Sequence, residues 1–393
     1  MAAYLLALQA PPRENKSFTA HRAREYMIEA DMFYDHPAIR PIKDLLLDPE
    51  ISEIMINGPK QLFVERKGRM ESLPARFADD RVLHMLVNRM LEPTGRSVSS
   101  ASPYADFRLP DGSRVNVTIP PVALNGPTVT IRKFTGHLKK IEDLIKLGTL
   151  SKRMAYFLCA GVKGRLNIIF SGATGTGKTT TLGILSRHIP SSERIIAIED
   201  TAELQLQQEH VIRLECRQPN QEGKGAVDMS QLVLNSLRMR PTRIIVGEIR
   251  GAEAIDMLQA IATGHDGCLA VLHASSPVDA ISRLEMMALS RGLMLPLWAI
   301  HKQIGAAIDL IVQHEFLPDG TRKITRIAEV CGVRDDRIVI RDVFEYRRTG
   351  AGEDRREIGK WLCHGSESGA VERCRRRGAE IPPEVLGVDQ DES

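Results

Sequence analysis

The sequence predicts an α/β protein of two domains, a small α+β domain followed by a larger one built on a mainly parallel sheet. Three observations carry that expectation. The chain has 393 residues, more than one ordinary core organises. Its first third alternates short apolar and polar runs broken by turn signals, the pattern of antiparallel strands and hairpins. From about residue 151 the rhythm changes to the apolar runs LNIIFSG, RIIAIED, TRIIVGE and CLAVLHA, separated by helical stretches, as buried parallel strands require.

Taken in order, residues 1–40 read as an N-terminal arm in which HRAREYMIEADMFY can form a helix that Pro37 and Pro41 end. An α+β domain is expected over 41–134. EIMIN and QLFVERKGRMESL suggest strands, the latter folded back at Lys67-Gly68. DDRVLHMLVNRML places Val82, Leu83, Leu86, Val87 and Met90 on one helical face. DFRLPDGSRVNVTI reads as a hairpin turning at Pro110-Asp111-Gly112, and NGPTVTIRKF adds a turn and a strand. Residues 135–150 hold little core and are expected as a hinge linker. The parallel-sheet domain spans 151–346. Within it, AAIDLIVQHEF, TRKITRIAEVCGV and DRIVIRDVFEY are expected as added antiparallel strands. Residues 347–393 are expected as a polar basic tail, with arginine runs such as ERCRRRG on a solvated face.

The bulk numbers exclude several classes. Net charge is +3 and aromatics are 5%, so neither a basic field nor a set of base-stacking platforms points to nucleic acid. The six cysteines show neither zinc nor disulfide spacing. No apolar run approaches the ~18 residues of a membrane span, and the apolar opening MAAYLLALQA lacks a basic n-region. A cytoplasmic protein is expected, with membrane contact only through partners.

The motif that carries chemistry is GxxxxGK[ST], set between an apolar strand and a helix. Gly172, Ala173, Thr174, Gly175, Thr176, Gly177, Lys178 and Thr179 form it, and with Thr180 they are the expected nucleotide-binding residues. Glycines let the backbone wrap phosphates with its N–H groups, and the helix N-terminus adds positive potential. Lys178 can reach the β- and γ-phosphates, and Thr179 can offer a hydroxyl to Mg²⁺. No NKxD guanine reader follows, so ATP is the expected nucleotide.

Three strand ends then carry polar groups towards the same edge. They hold Glu199 with Asp200 and Glu203, then Glu248, then His273 with His265 just before that strand. Where a common P-loop ATPase places a metal-holding Asp, this chain has Gly247. Glu248 is therefore expected to orient or deprotonate the attacking water, and Glu199 to serve the Mg²⁺ hydration shell. Thr179, Glu199 and Glu248 are the expected metal-side residues. A capping carboxylate at Glu199 and a satisfied core histidine at His273 are the plainer alternatives.

GATGTGKTTT, IEDTAEL, SLRMRPTRIIVGEIRGAEA and ATGHDGCLAVLHAS together resemble the Walker A, Asp-box, Walker B and His-box segments of the type II/IV secretion-superfamily ATPases, over roughly residues 40–346. PYADFRLPDGSRVNVTIPPVALNGPTVTIRKF, ITRIAEVCGVRDDRIVIRDVFEY and GAEIPPEVL are most similar to the CpaF/TadA-type ATPases of tight-adherence (Flp) pili. The resemblance implies a RecA-like P-loop ATPase domain behind a PAS-like N-terminal domain. It also implies a homohexameric, Mg-ATP-hydrolysing motor that drives assembly or retraction of a pilus, or secretion, through an inner-membrane platform. In such rings N-terminal arginines sit at a neighbour's nucleotide, which makes Arg132, then Arg108 and Arg114, the expected donors, with Arg240 and Arg250 at a subunit boundary. Ring ATPases of type IV secretion and conjugation share the four boxes and form the alternative reading. A nucleic-acid motor is a more distant one.

Overall fold

The structure, a computed structural model, describes residues 33–66, 69–133, 140–217, 219, 224–292, 295–352, 357–365 and 368–387. Most of the expected N-terminal helix, the Lys67-Gly68 turn and residues 134–139 of the expected linker lie outside them. The chain divides into two units, 1–137 and 138–393.

In the first unit a short helix, Lys43–Leu47, precedes β1 (Ile51–Asn57), β2 (Leu62–Arg66) and β3 (Arg69–Leu73). Helix α1 (Asp80–Leu91) follows, started by Asp79, whose carboxylate accepts the Val82 N–H at 3.0 Å. Strands β4 (Tyr104–Arg108), β5 (Arg114–Thr118) and β6 (Thr128–Arg132) complete an antiparallel sheet of order β3-β2-β1-β6-β5-β4. One sheet face is apolar: Ile54, Ile56, Val115, Val117, Val129 and Ile131 share a core with Leu83, Leu86, Val87 and Met90 of α1. Phe33, Tyr34 and Ile39 join that core, so the end of the expected arm packs with this unit.

The other face follows from the period of two. Arg108 pairs with Arg114 and Arg114 with Arg132, while Arg132 also pairs with Glu53 of β1. Directly paired residues share a face, so three guanidinium groups stand in one row across β4, β5 and β6. Like charges placed opposite each other oppose sheet formation. Glu53 stands against the Arg132 end of the row, 3.6 Å away.

The second unit begins with α2 (Ile141–Lys146) and α3 (Lys152–Lys163). Ile141, Leu144 and Leu150 are buried in its core, which corrects the expectation that residues 140–150 hold little of it. Then come β7 (Ile168–Gly172), α4 (Lys178–Ser186), β8 (Ile195–Glu199), β9 (Val211–Glu215), α5 (Met229–Ser236), β10 (Arg243–Ile249), α6 (Glu253–Ala262) and β11 (Leu269–Leu272). Helices α7 (Pro277–Ser290) and α8 (Leu297–Ala307) lead to β12 (Leu310–Phe316), β13 (Arg322–Arg334), β14 (Arg337–Ala351), β15 (Glu357–Cys363) and α9 (Gly369–Arg376). The sheet order is β15-β14-β13-β12-β7-β11-β10-β8-β9. Its side from β12 to β9 is parallel, and β13 to β15 are antiparallel. Helices α2 to α4 cover one face, and α5 to α8 cover the other. Among the described residues no helix is long and apolar enough to cross a membrane.

Two expectations about this unit are corrected. β12 runs antiparallel to β13 as expected, but it is not an addition outside the parallel sheet. It pairs in parallel with β7, because the two-helix crossover α7–α8 is long enough to return the chain in the same direction. The described residues of the expected tail, 347–352, 357–365 and 368–387, are likewise not a solvated tail. β15 extends the sheet, and the Trp361 indole N–H donates to the Ile324 carbonyl at 2.9 Å. Ala370 and Cys374 of α9 are buried in the core. The arginines there are paired: Arg373 lies 2.8 Å from Asp309 and 3.2 Å from Glu329, and Arg377 pairs with Asp266.

The edge of the sheet away from the 172–177 loop is held by a buried cation. Arg243, at the start of β10, is fully buried, 2.5 Å from Glu193, and donates to the Val162 carbonyl at 2.7 Å. Arg243→Met is expected to lower unfolding free energy by about 3 kcal/mol, since the carboxylate and the carbonyl both lose a buried donor. Urea denaturation checks it, and a change below about 1 kcal/mol would show that Arg165, 3.1 Å from Glu193, compensates.

Candidate functional site: a glycine loop beside a chain of charged contacts

Strand β7 is buried along its whole length, and its last residue turns the chain away from the sheet. Gly172 has φ of +149°, and a Cβ there would lie 2.4 Å from the His314 carbonyl, so only glycine fits. Gly177, with φ of +97°, starts α4 from the left-handed region. Between them, the Ala173 carbonyl accepts from Thr176 Oγ1 at 2.8 Å and from Lys178 Nζ at 2.7 Å. Thr179 is half-buried, whereas Ala173, Thr174 and Thr180 are exposed.

The polar residues of the neighbouring strand ends converge on Lys178. His273, just after β11, has Nδ1 3.5 Å from Lys178 Nζ and Nε2 3.0 Å from Glu248 Oε1. Arg250 donates from Nη2 to Glu248 Oε2 at 2.8 Å and from Nη1 to Asp200 Oδ2 at 3.2 Å. Lys178, His273, Glu248, Arg250 and Asp200 thus form one chain of contacts along the carboxyl edge, where α/β sheets place their ligands.

Burial pushes the Glu248 carboxyl up, but the Arg250 hydrogen bond and charge, together with His273 and Lys178, outweigh it and hold the group below the usual carboxylate range. Burial first, and then the Lys178 charge, push His273 below its ordinary value against the opposing pull of Glu248. The imidazole is therefore neutral near pH 7. Its geometry requires the tautomer with the proton on Nε2, which donates to Glu248 and turns the Nδ1 lone pair towards the Lys178 ammonium.

Glu199 stands apart from this chain. It is buried, and its Oε2 accepts the N–H groups of Glu203 at 2.5 Å and Leu204 at 2.8 Å. Its Oε1 accepts no hydrogen bond and lies 3.7 Å from Arg213. A Cβ on Gly247 would fall 2.7 Å from Glu199 Cγ. Glycine therefore occupies the usual metal-aspartate position because the Glu199 side chain fills the space beneath it. His265 lies outside the cluster, its Nδ1 3.1 Å from the Ala260 carbonyl at the end of α6. Arg240 is exposed in a left-handed turn. Arg108, Arg114 and Arg132 belong to the first unit's row.

Sequence reasoning missed two groups. Glu253 Oε1 accepts the N–H groups of Arg250 at 2.5 Å and Gly251 at 2.9 Å, fixing the backbone that aims Arg250. An acidic residue three positions after Arg250, opening a helix, is a readable capping signal. His314, beneath the loop, carried no such signal. Among the described residues no cluster of three or more His, Cys, Asp or Glu side chains is placed to hold a metal ion by itself.

The profile of the type II/IV secretion system protein family matches residues 37–350, most of the chain. The chain belongs to this family. Among its relatives is the type IV secretion system protein VirB11 of Brucella suis, 31% identical over 320 residues, covering 74% of this chain and 88% of that one. A conjugal transfer protein TrbB of Rhizobium radiobacter is 29% identical over 293 residues, covering 74% and 86%. In fold the chain is similar to the pilus retraction motor PilT, solved with ADP, at a TM-score of 0.53 and 21% identity, covering 74% of this chain and 81% of that one. The two sequence relatives, VirB11 and TrbB, favour the type IV secretion and conjugation reading over the tight-adherence pilus expected from the sequence. Membership in the secretion ATPase family stands with either.

Proposed function

We propose that this chain is a Mg-ATP-hydrolysing ring motor of the type IV secretion and conjugation kind, acting as a homohexamer on the cytoplasmic face of an inner-membrane platform. The observation that carries the reading is the Lys178–His273–Glu248–Arg250–Asp200 chain beside a glycine cradle. A strand–loop–helix cradle binds phosphates without any of this. A carboxylate held ionised next to it gives the cradle something to do to a water.

In this reading the loop N–H groups and Lys178 hold the phosphates, and Lys178 leaves the Ala173 carbonyl to do so. Thr179, with its hydroxyl, and Glu199, with its unpartnered Oε1, would be the residues that serve a bound Mg²⁺. Bound Mg²⁺ would neutralise charge building on the phosphate oxygens. Glu248 orients the attacking water. Its depressed proton affinity suits an ionised hydrogen-bond acceptor better than a strong base, and His273 fixes its direction. The row of Arg108, Arg114 and Arg132 is proposed to complete a neighbouring copy's nucleotide site. Assembly of a tight-adherence pilus is the second reading, supported by the resemblance of residues 103–134, 324–346 and 378–386.

Lys178→Ala tests the cradle. Losing one charge-assisted bond to phosphate is expected to weaken binding of a non-hydrolysable ATP analogue by about 10–100-fold. Calorimetric titration reads this directly, and unchanged affinity would remove Lys178 from the site.

A further inference from the structure

His314 on β12 is fully buried, and neither ring nitrogen has a hydrogen-bond partner. A buried imidazole without partners costs free energy that a hydrocarbon of the same shape would not. Its position gives the reason to look further. β12 pairs with β7 so that His314 stands directly beside Gly172, the first residue of the phosphate loop. The His314 Cβ and Thr176 Oγ1 converge on one point over that glycine, lying 3.0 and 2.9 Å from where its Cβ would be. The ring packs against Phe170 one strand over, with centroids 6.4 Å apart. Burial, with the Lys178 charge second, pushes its pKa down to about 3, so the ring is neutral and carries one N–H and one lone pair.

The loop above is closed on itself. The Ala173 carbonyl, one residue beyond the strand partner of His314, accepts both the Lys178 ammonium and the Thr176 hydroxyl. Phosphate binding would draw Lys178 away and leave that carbonyl with the Thr176 hydroxyl alone, one acceptor lone pair open.

We propose that His314 is a positioning residue of the phosphate loop, whose imidazole N–H takes over the Ala173 carbonyl when Lys178 leaves it for the nucleotide. The unmet hydrogen bond in the resting state is then met in the bound state, so the pairing favours nucleotide binding without touching the nucleotide. It also ties β12, and through it the antiparallel strands β13 to β15, to loop occupancy. This inference rests on the reading of residues 172–180 as a nucleotide cradle.

The test uses the full chain, with His314→Phe and His314→Gln, and two readouts. The first is melting temperature without nucleotide. The second is affinity for a fluorescent non-hydrolysable ATP analogue with Mg²⁺. His314→Phe is expected to melt at or above the wild type, since it removes the unmet polar atoms, yet to bind the analogue about tenfold more weakly. His314→Gln, which keeps a donor, is expected to recover affinity to within about threefold of wild type. Equal affinity of His314→Phe and wild type overturns the proposal. So does a His314→Phe chain that fails to fold or melts lower, because the imidazole would then serve the resting structure. A wild type that does not bind the analogue overturns the nucleotide reading itself, which separates the two failures.

Discussion

Glu248→Gln is expected to keep ATP-analogue affinity within about twofold of wild type and to slow hydrolysis by about 10²–10⁴-fold, the range a positioned proton-handling or water-orienting group contributes. Glutamine preserves the shape of the side chain at the end of β10 but removes its charge. Both carboxylate oxygens are engaged by donors, Nε2 of His273 at 3.0 Å and Nη2 of Arg250 at 2.8 Å. An amide can accept from only one of them, and its own NH₂ faces the other donor. Water orientation therefore fails while the cradle, 172–180, is left intact. Single-turnover hydrolysis with enzyme in excess separates the step from product release. A rate within tenfold of wild type would assign the water to another residue.

Arg132→Ala is expected to lower turnover of the assembled protein by about 10³-fold, the lower part of the range for an arginine supplied to phosphoryl transfer, with analogue affinity of the dissociated chain unchanged. The physical case lies in the row Arg108–Arg114–Arg132, three like charges aligned on the sheet face opposite the core. Guanidinium groups gathered in this way suit an anion presented to that face. Arg132 stands at its Glu53 end, with its side chain about half exposed. Steady-state ATPase activity above and below the assembly concentration reads the effect. Equal loss in both would place Arg132 in its own chain's site, and no loss would remove the row from catalysis.

Legibility in the sequence followed the range of the forces involved. The cradle could be read because each requirement is local: glycines where φ is positive at 172 and 177, an apolar strand before them and a helix after. Glu248 and His273 could be read because parallel strands end on one edge, which brings residues 25 positions apart to 3.0 Å. Arg250 was marked as a boundary arginine, but its grip on Glu248 and Asp200 depends on how Glu253 holds its backbone. The polar look of the C-terminal segment misled because Arg373 and Arg377 pair with Asp309, Glu329 and Asp266, carboxylates from distant strands and loops, while Arg375 and Arg376 stay on the solvated face.

By itself the sequence determined that a glycine-rich loop joins a buried strand to a helix, that polar strand ends gather beside it, and that a smaller α+β unit precedes it. Backbone conformation and strand period dictate these within a few residues of each other. Only the tertiary structure decided that β12 lies parallel against β7, that Glu199 fills the space under Gly247, and that His314 sits unpartnered beneath the cradle. A strand's neighbours are chosen by how a long crossover packs two helices on the sheet, and that choice is written in no single segment of the chain.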